Sequence, residues 1–289
     1  MQLAPSSTGD PARLFEDICV IGNGETAGKN AIAVTDDALF AGDLKLLQPK
    51  TGHRAGTDAV LLAAATPPEA CRIADLGAST GLVGLRAAQM NPQASTVLIE
   101  RDVDMARLAT ENAARNGLSD RVAIRQADAF ALAGEAGLRE AFDVVLTNPP
   151  FFKADEIRVS PNSQRAGAHV LEASLDDWMR NATTILAPKG QLLVIHRADA
   201  LGELLAACAR RIGGVRLRFI HPDAGAPAIR VLLAGRKGSC APLSVLPPLI
   251  LHGAGGAFVP EVAALHRGEA RLDMTDNAQK KTGGKSRPS

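Results

Sequence analysis

Asn148 is the residue best placed to do chemistry. It follows the short apolar run Val144-Val145-Leu146 and then Thr147, and precedes Pro149-Pro150 and the aromatic pair Phe151-Phe152. The run has the β-branched character of a strand buried on both faces of a parallel sheet. Proline lacks an N–H, so two in succession end the ladder and stiffen the backbone where Asn148 presents its amide. The plainer reading of these residues is a strand closed by a proline turn. Paired Phe151 and Phe152 stand out because aromatic residues make up only 3% of the chain.

A second group lies upstream. Asp75-Leu76-Gly77-Ala78-Ser79-Thr80-Gly81 should end a strand and open a helix, a backbone that can bend tightly and turn N–H groups toward a ligand. Gly77, Gly81 and Gly84 are also spaced almost as in a dinucleotide fingerprint. Glu100, at the end of the next strand, could accept both hydroxyls of a ribose in either case. Asp128 occupies the same place one strand later. Taken singly, each of these carboxylates reads as a solvated strand end.

The elements that must position these residues alternate regularly from Cys71 onward. Strands are expected at Arg72–Leu76, Thr96–Glu100, Val122–Gln126, Asp143–Thr147, Gln191–His196, Val215–Ile220 and Ile229–Ala234. Helices are expected near 81–90, 102–116, 175–186 and 198–212. This is the pattern of an α/β fold, a doubly wound, mostly parallel seven-stranded sheet covered by helices on both faces. A further helix is expected to start with Thr57 as N-cap and to end before Pro67-Pro68. The division expected is 1–35 as a partly mobile N-terminal segment, 36–70 as an extension leading into the cofactor domain, 71–240 as that domain, 241–275 as a C-terminal extension and 276–289 as a disordered basic tail. Prolines 242, 247 and 248 and the glycines from Gly253 to Gly256 are expected to break regular structure.

Composition narrows the function classes. A chain with 46% apolar and 22% charged residues is core-forming, and a net charge of +1 leaves any nucleic-acid binding to local patches. Residues 1–20 carry Asp10, Arg13, Glu16 and Asp17, and the apolar run Ala59–Ala65 is too short to span a bilayer, so a cytoplasmic protein is expected. Cys19, Cys71, Cys208 and Cys240 lack zinc-ligand spacing and are expected to be buried thiols, while His196 and His221 also lack metal spacing, so no metal is expected. Gly22 to Asn30 resembles a phosphate loop only loosely, with Asn23 and Asn30 at its key positions, and reads as a turn.

Asn148-Pro149-Pro150-Phe151, together with Asp75–Gly81, resembles the motif pair of class I (Rossmann-like) S-adenosylmethionine-dependent methyltransferases that act on planar nitrogens. Asp128 fits that resemblance, and Asn-Pro-Pro-Phe has no job in a dehydrogenase. With the segment Gln48 to Leu62 added, the chain resembles the bacterial tRNA1(Val) adenine-N6 methyltransferases over roughly Asp36 to Lys237. The resemblance implies S-adenosylmethionine as cofactor, S-adenosylhomocysteine as product and RNA, most naturally tRNA beside the anticodon, as partner. It assigns catalysis to Asn148, Pro149, Pro150 and Phe151, and cofactor binding to Thr57, Asp75, Gly77, Ser79, Gly81, Glu100, Asp128 and Asn148. Substrate contacts fall to Phe152, Lys50, Arg54, Lys153 and Arg165. Ser79 departs from the family pattern, which has glycine there. The same motifs serve rRNA guanine-N2 and protein glutamine-N5 methyltransferases, and a non-catalytic cofactor-binding protein is the alternative of another class.

Overall fold

The computed structural model describes residues 32–52, 54–135, 137–151 and 174–275. An antiparallel hairpin, β1 (Val34–Leu39) and β2 (Leu44–Pro49), comes first, followed by α1 (Thr57–Ala64). The alternating part then runs β3 (Arg72–Leu76), α2 (Leu82–Met90), β4 (Ser95–Glu100), α3 (Val103–Arg115), β5 (Val122–Gln126) and β6 (Phe142–Thr147). It continues with α4 (Leu175–Ile185), β7 (Leu186–Arg197), α5 (Leu201–Cys208), β8 (Ile212–His221) and β9 (Arg230–Lys237). Two-residue strands β10 (Ser244–Val245) and β11 (Leu249–Ile250) and helix α6 (Pro260–Arg267) complete the described chain.

All seven expected strands are present in one mostly parallel sheet, ordered β10-β8-β9-β7-β6-β3-β4-β5. β9 runs antiparallel to both of its neighbours. The sheet has nine strands, not seven, because β10 and β11 both pair with β8 at its outer edge. Ile73, Val144, Leu146 and Leu193 bury toward one face and Ala74, Val145, Leu192 and Val194 toward the other, the two-sided burial of a covered parallel sheet. Helices α1, α2, α3 and α6 cover the first face, and α4 and α5 the second. β3 lies between β4 and β6, so the chain reverses direction of travel across the sheet there, the switch point beside which open α/β sheets bind their ligands.

The C-terminal extension corrects the expectation of irregular chain. Pro260 at N1 and Gly268, at φ 78°, delimit α6 by the proline-start and glycine-stop rule. Val262, Leu265, Leu272 and Met274 bury in the first core, and Leu272 N donates to Ala64 O at 2.8 Å. The expected helix over 198–212 is shorter, because Ile212 already opens β8. Cys208 is buried, but Cys71 and Cys240 are exposed, and Cys19 lies outside the described residues, as does the tail from 276. Among the described residues no helix is long and apolar enough to cross a membrane.

Asn112 on α3 and Asn116 at its C-cap fasten the hairpin to that helix. Asn112 Oδ1 accepts Leu47 N at 2.7 Å while its Nδ2 donates to Leu47 O at 3.1 Å and Thr80 O at 3.0 Å. Asn116 repeats the exchange with Lys45 N at 2.9 Å and Lys45 O at 2.7 Å. The edge of β2 is thereby satisfied by amide side chains instead of a third strand, and Asn112 joins the hairpin to the glycine-rich loop at Thr80.

Candidate active site

The loop after β3 is curled onto the end of β4. Gly77 N and Ala78 N both donate to Ile99 O, at 2.9 and 3.1 Å, and Ser79 N donates to Glu100 Oε2 at 2.8 Å. Gly77 and Gly81 take φ of 77° and 93°, and Ser79 takes φ 51°, so a side chain occupies a left-handed position that glycine would hold without strain. Ser79→Gly should therefore leave cofactor affinity equal or improved and raise thermal stability by up to about 1 kcal/mol. Calorimetry and melting curves check this, and a large loss of affinity would mean that the hydroxyl is itself a ligand.

Asp75 lies beneath this loop. Its side chain is 2% exposed, and Oδ2 accepts Gly84 N at 2.8 Å. A Cβ on Gly84 would stand 2.0 Å from Leu98 Cδ2 and 3.0 Å from Asp75 Cβ, so a larger residue there forces its neighbours to shift. The engaged oxygen ties the end of β3 to the first turn of α2. Burial, aided by the charge of Glu100, pushes its carboxyl up from 3.8 to about 7. A raised acid favours folding while protonated, so this stability is fully present below about pH 4 and is lost as pH rises through about 7. Asp75→Asn keeps an acceptor for Gly84 N and cannot ionise. Melting temperature against pH should show wild type falling progressively relative to the variant across that window, and parallel curves would refute the assignment.

Glu100 and Asp128 lie along the same row of strand ends. Glu100 Oε1 accepts Asp102 N at 2.9 Å, so with Ser79 N each oxygen carries one backbone bond and keeps a lone pair for another donor. Asp128 is exposed, and among the described residues only its Oδ1 is engaged, by Phe130 N at 2.9 Å. This set, two carboxylates with spare acceptors beside a glycine loop, fits the hydroxyls and amine of an adenosine. Thr57 is half-buried at the start of α1 but is not its cap. Gly56, extended at φ −130°, holds that position and its carbonyl takes Ala59 N and Val60 N.

β6 delivers Asn148 beside Gly77, since Thr147 pairs with Leu76. Asn148 is half-buried, Pro149 buried and Pro150 exposed. No hydrogen bond joins the Asn148 amide to another of the described residues. Behind it Thr147 Oγ1 donates to Leu76 O at 2.8 Å and accepts Trp178 Nε1 at 2.9 Å. The Trp178 ring also meets Phe130 edge-on at 5.4 Å. A Cβ on Gly77 would lie 3.0 Å from that ring, so one indole supports both the glycine loop and the strand that ends before Asn148.

Phe151 is 50% exposed, an aromatic face at the mouth of the site. Around its ring stand His196 at 5.7 Å and the guanidinium carbons of Arg197 and Arg230 at 5.7 and 5.8 Å. Arg230 Nε donates to Asp58 Oδ2 at 2.7 Å. Trp178, Asp58, Arg197 and Arg230 were not singled out by sequence reasoning. Trp178 alone left a signal, as the chain's one tryptophan.

The expected substrate residues divide. Lys50 is exposed. Arg54 is instead committed to the hairpin, with Nη2 on Asp37 Oδ2 at 2.6 Å and Nη1 on Thr35 Oγ1 at 2.8 Å, because Gln48 and Asp37 gather the loop after β2 into one polar cluster. Phe152, Lys153 and Arg165 lie outside the described residues. Among the described residues no group of side chains has the arrangement of a metal site.

Residues 54–208 match the methyltransferase small domain family. The chain is 34% identical over 225 residues to the tRNA1(Val) (adenine(37)-N6)-methyltransferase of Porphyromonas gingivalis, covering 73% of this chain and 86% of that one. It is 30% identical over 187 residues to the protein of the same name from Bacteroides fragilis, covering 64% and 78%. Among solved structures, one described as a predicted O-methyltransferase from Agrobacterium tumefaciens is 36% identical and superposes with a TM-score of 0.63 over 75% of this chain and 98% of that one.

Proposed function

Because the chain belongs to the methyltransferase small domain family, and within it to the tRNA1(Val) adenine-N6 methyltransferases, we propose that it methylates the exocyclic N6 amine of an adenine in tRNA, beside the anticodon, using S-adenosylmethionine. The observation that carries this reading is the placement of Asn148 at the end of β6, next to the glycine loop, with its amide bonded to none of the described residues. A tRNA substrate would place the reaction in the cytoplasm.

When bound, the cofactor supplies an electrophilic methyl on a positively charged sulfur. The glycine loop and Glu100 would seat its amino-acid and ribose parts, and Asp128 would accept from its adenine amine. The N6 lone pair of the target is delocalised into the ring, and its N–H is too weak an acid for any side chain here to remove beforehand. Asn148 Oδ1 and the Pro149 carbonyl can each accept one N6 proton, which favours a pyramidal nitrogen with its lone pair turned toward the methyl. The same acceptors stabilise positive charge growing on that nitrogen. Phe151 offers a stacking face for the extruded base, a contact worth about 1–3 kcal/mol in single-stranded systems.

The O-methyltransferase description of the structural relative suits these groups less well. A hydroxyl has one proton for two acceptors, whereas an amine has two. Incubation with labelled S-adenosylmethionine and an unmodified valine tRNA anticodon stem-loop should place label on N6-methyladenosine at the anticodon-adjacent adenine. Label in guanine, in a ribose hydroxyl or in release-factor glutamine instead would overturn the reading.

A further inference from the structure

Arg197 on β7 and Arg230 on β9 are direct partners in the antiparallel register. Like charges facing one another across two strands cost stability, and proteins retain such local conflicts chiefly where function requires them. Here each cation has its own carboxylate. Arg197 Nε donates to Asp199 Oδ1 at 2.8 Å, and Arg230 Nε to Asp58 Oδ2 at 2.7 Å, with Nη1 of Arg230 on Ile229 O at 3.0 Å. The Asp58 link spans 172 positions and ties α1 to β9, an inner strand of the sheet.

These bonds fix the direction of both guanidinium planes and use only part of each fork. Arg197 Nη1 and Arg230 Nη2 donate to no acceptor among the described residues. Both guanidiniums lie against the ring of Phe151, at 5.7 and 5.8 Å from its centre. His196, 3% exposed and with Nδ1 unpartnered, packs 5.7 Å from the same ring. Burial and the neighbouring Arg197 push its pKa down, so it adds no third charge to the pair.

An aromatic face rimmed by two oriented, half-used guanidiniums has the form of a site for one nucleotide of single-stranded nucleic acid: the base stacks, and the phosphate takes the remaining N–H groups. We infer that Arg197 and Arg230 bind the phosphates flanking the base that stacks on Phe151, with Asp58 as the residue that positions Arg230. The inference rests on RNA being the substrate. Asp58 and Asp199 offset the net charge of the pair, so its contribution is short-range hydrogen bonding to a docked phosphate, not long-range attraction.

The test couples protein and RNA changes. An anticodon stem-loop is prepared with a neutral methylphosphonate at each linkage around the target adenine in turn, and binding is measured with wild type, Arg197→Gln, Arg230→Gln and Arg230→Lys. At one or two flanking linkages the neutral group should weaken wild-type binding about tenfold or more, the loss expected for a charged hydrogen bond. Each Gln variant should lose a similar factor with natural RNA and little further with the neutral linkage, while Arg230→Lys recovers part of the loss. Cofactor affinity should stay unchanged, a readout that misfolding would move, and the Arg197 variant, which breaks a local ion pair with exposed Asp199, keeps the test standing if Arg230→Gln unfolds. Fully additive losses at every linkage, or Gln variants that bind natural RNA as wild type does, would overturn the inference. Failure of wild type to methylate natural RNA would instead overturn the substrate reading beneath it.

Discussion

Asn148→Ala is expected to lower single-turnover methyl transfer by about a hundredfold or more, the loss typical of deleting one preorganised polar partner of a transition state. Cofactor affinity should change much less, because the loop at Gly77, Glu100 and Asp128 remains. The reason is geometric. Thr147 is anchored to Leu76 O and to Trp178, so the residue after it has little freedom, and Pro149 removes more. Asn148 Oδ1 is thus presented in one place without any bond to a described residue that a substrate must break. Neither this amide nor a backbone carbonyl titrates near neutrality, so the chemical step should lack the bell-shaped pH profile of an acid–base pair. Rapid-quench measurement on the anticodon stem-loop with saturating cofactor decides the matter. Near-normal chemistry in the variant would remove Asn148 from the mechanism, and an unchanged rate with a much weaker cofactor constant would move it to the binding site.

The parts of this site that were legible are those written in local sequence. The run Val144 to Leu146 is apolar because β6 is buried on both faces, and that burial is a property of the strand itself, visible without knowing its neighbours. The positions of Gly77, Glu100, Asp128 and Asn148 came from where strands stop. What local sequence hides is direction. Asp75 sits in a cofactor motif, yet its carboxylate points down to Gly84, a fact set by the absence of a Cβ nine residues later. Arg54 resembles a free basic residue until the hairpin folds and brings Asp37 to it. The α6 helix was missed because the glycines and prolines around it read as breakers, when Pro260 and Gly268 mark its two ends. The pairing of Asp58 with Arg230 could not be read at all, since only the sheet order brings β9 near α1.

Trp178 is another support that local sequence hides, and its removal should have the largest effect on stability. Trp178→Ala deletes a side chain that is 6% exposed, and a buried large-to-small change of this kind costs about 3–5 kcal/mol. The loss has a specific place. The indole fills the space under Gly77, where even a methyl would stand at 3.0 Å, and its Nε1 fixes the hydroxyl of Thr147, the residue before Asn148. Without it the glycine loop and the catalytic strand lose their common support, so cofactor affinity and methyl transfer should both fall, beyond what reduced folding explains. Trp178→Phe retains most of the ring and loses the N–H bond, about 1 kcal/mol, and should keep near-normal affinity. Gly77→Ala alone should be harmful, through its φ of 77° and its contact with the indole. In the Trp178→Ala background the contact is gone, so Gly77→Ala should cost less there than in wild type. Denaturant unfolding and cofactor titration of the four proteins measure this directly. Additive costs of the two substitutions, or a Trp178→Ala protein that is destabilised yet binds cofactor normally, would reduce Trp178 to core filling and leave the loop supported from elsewhere.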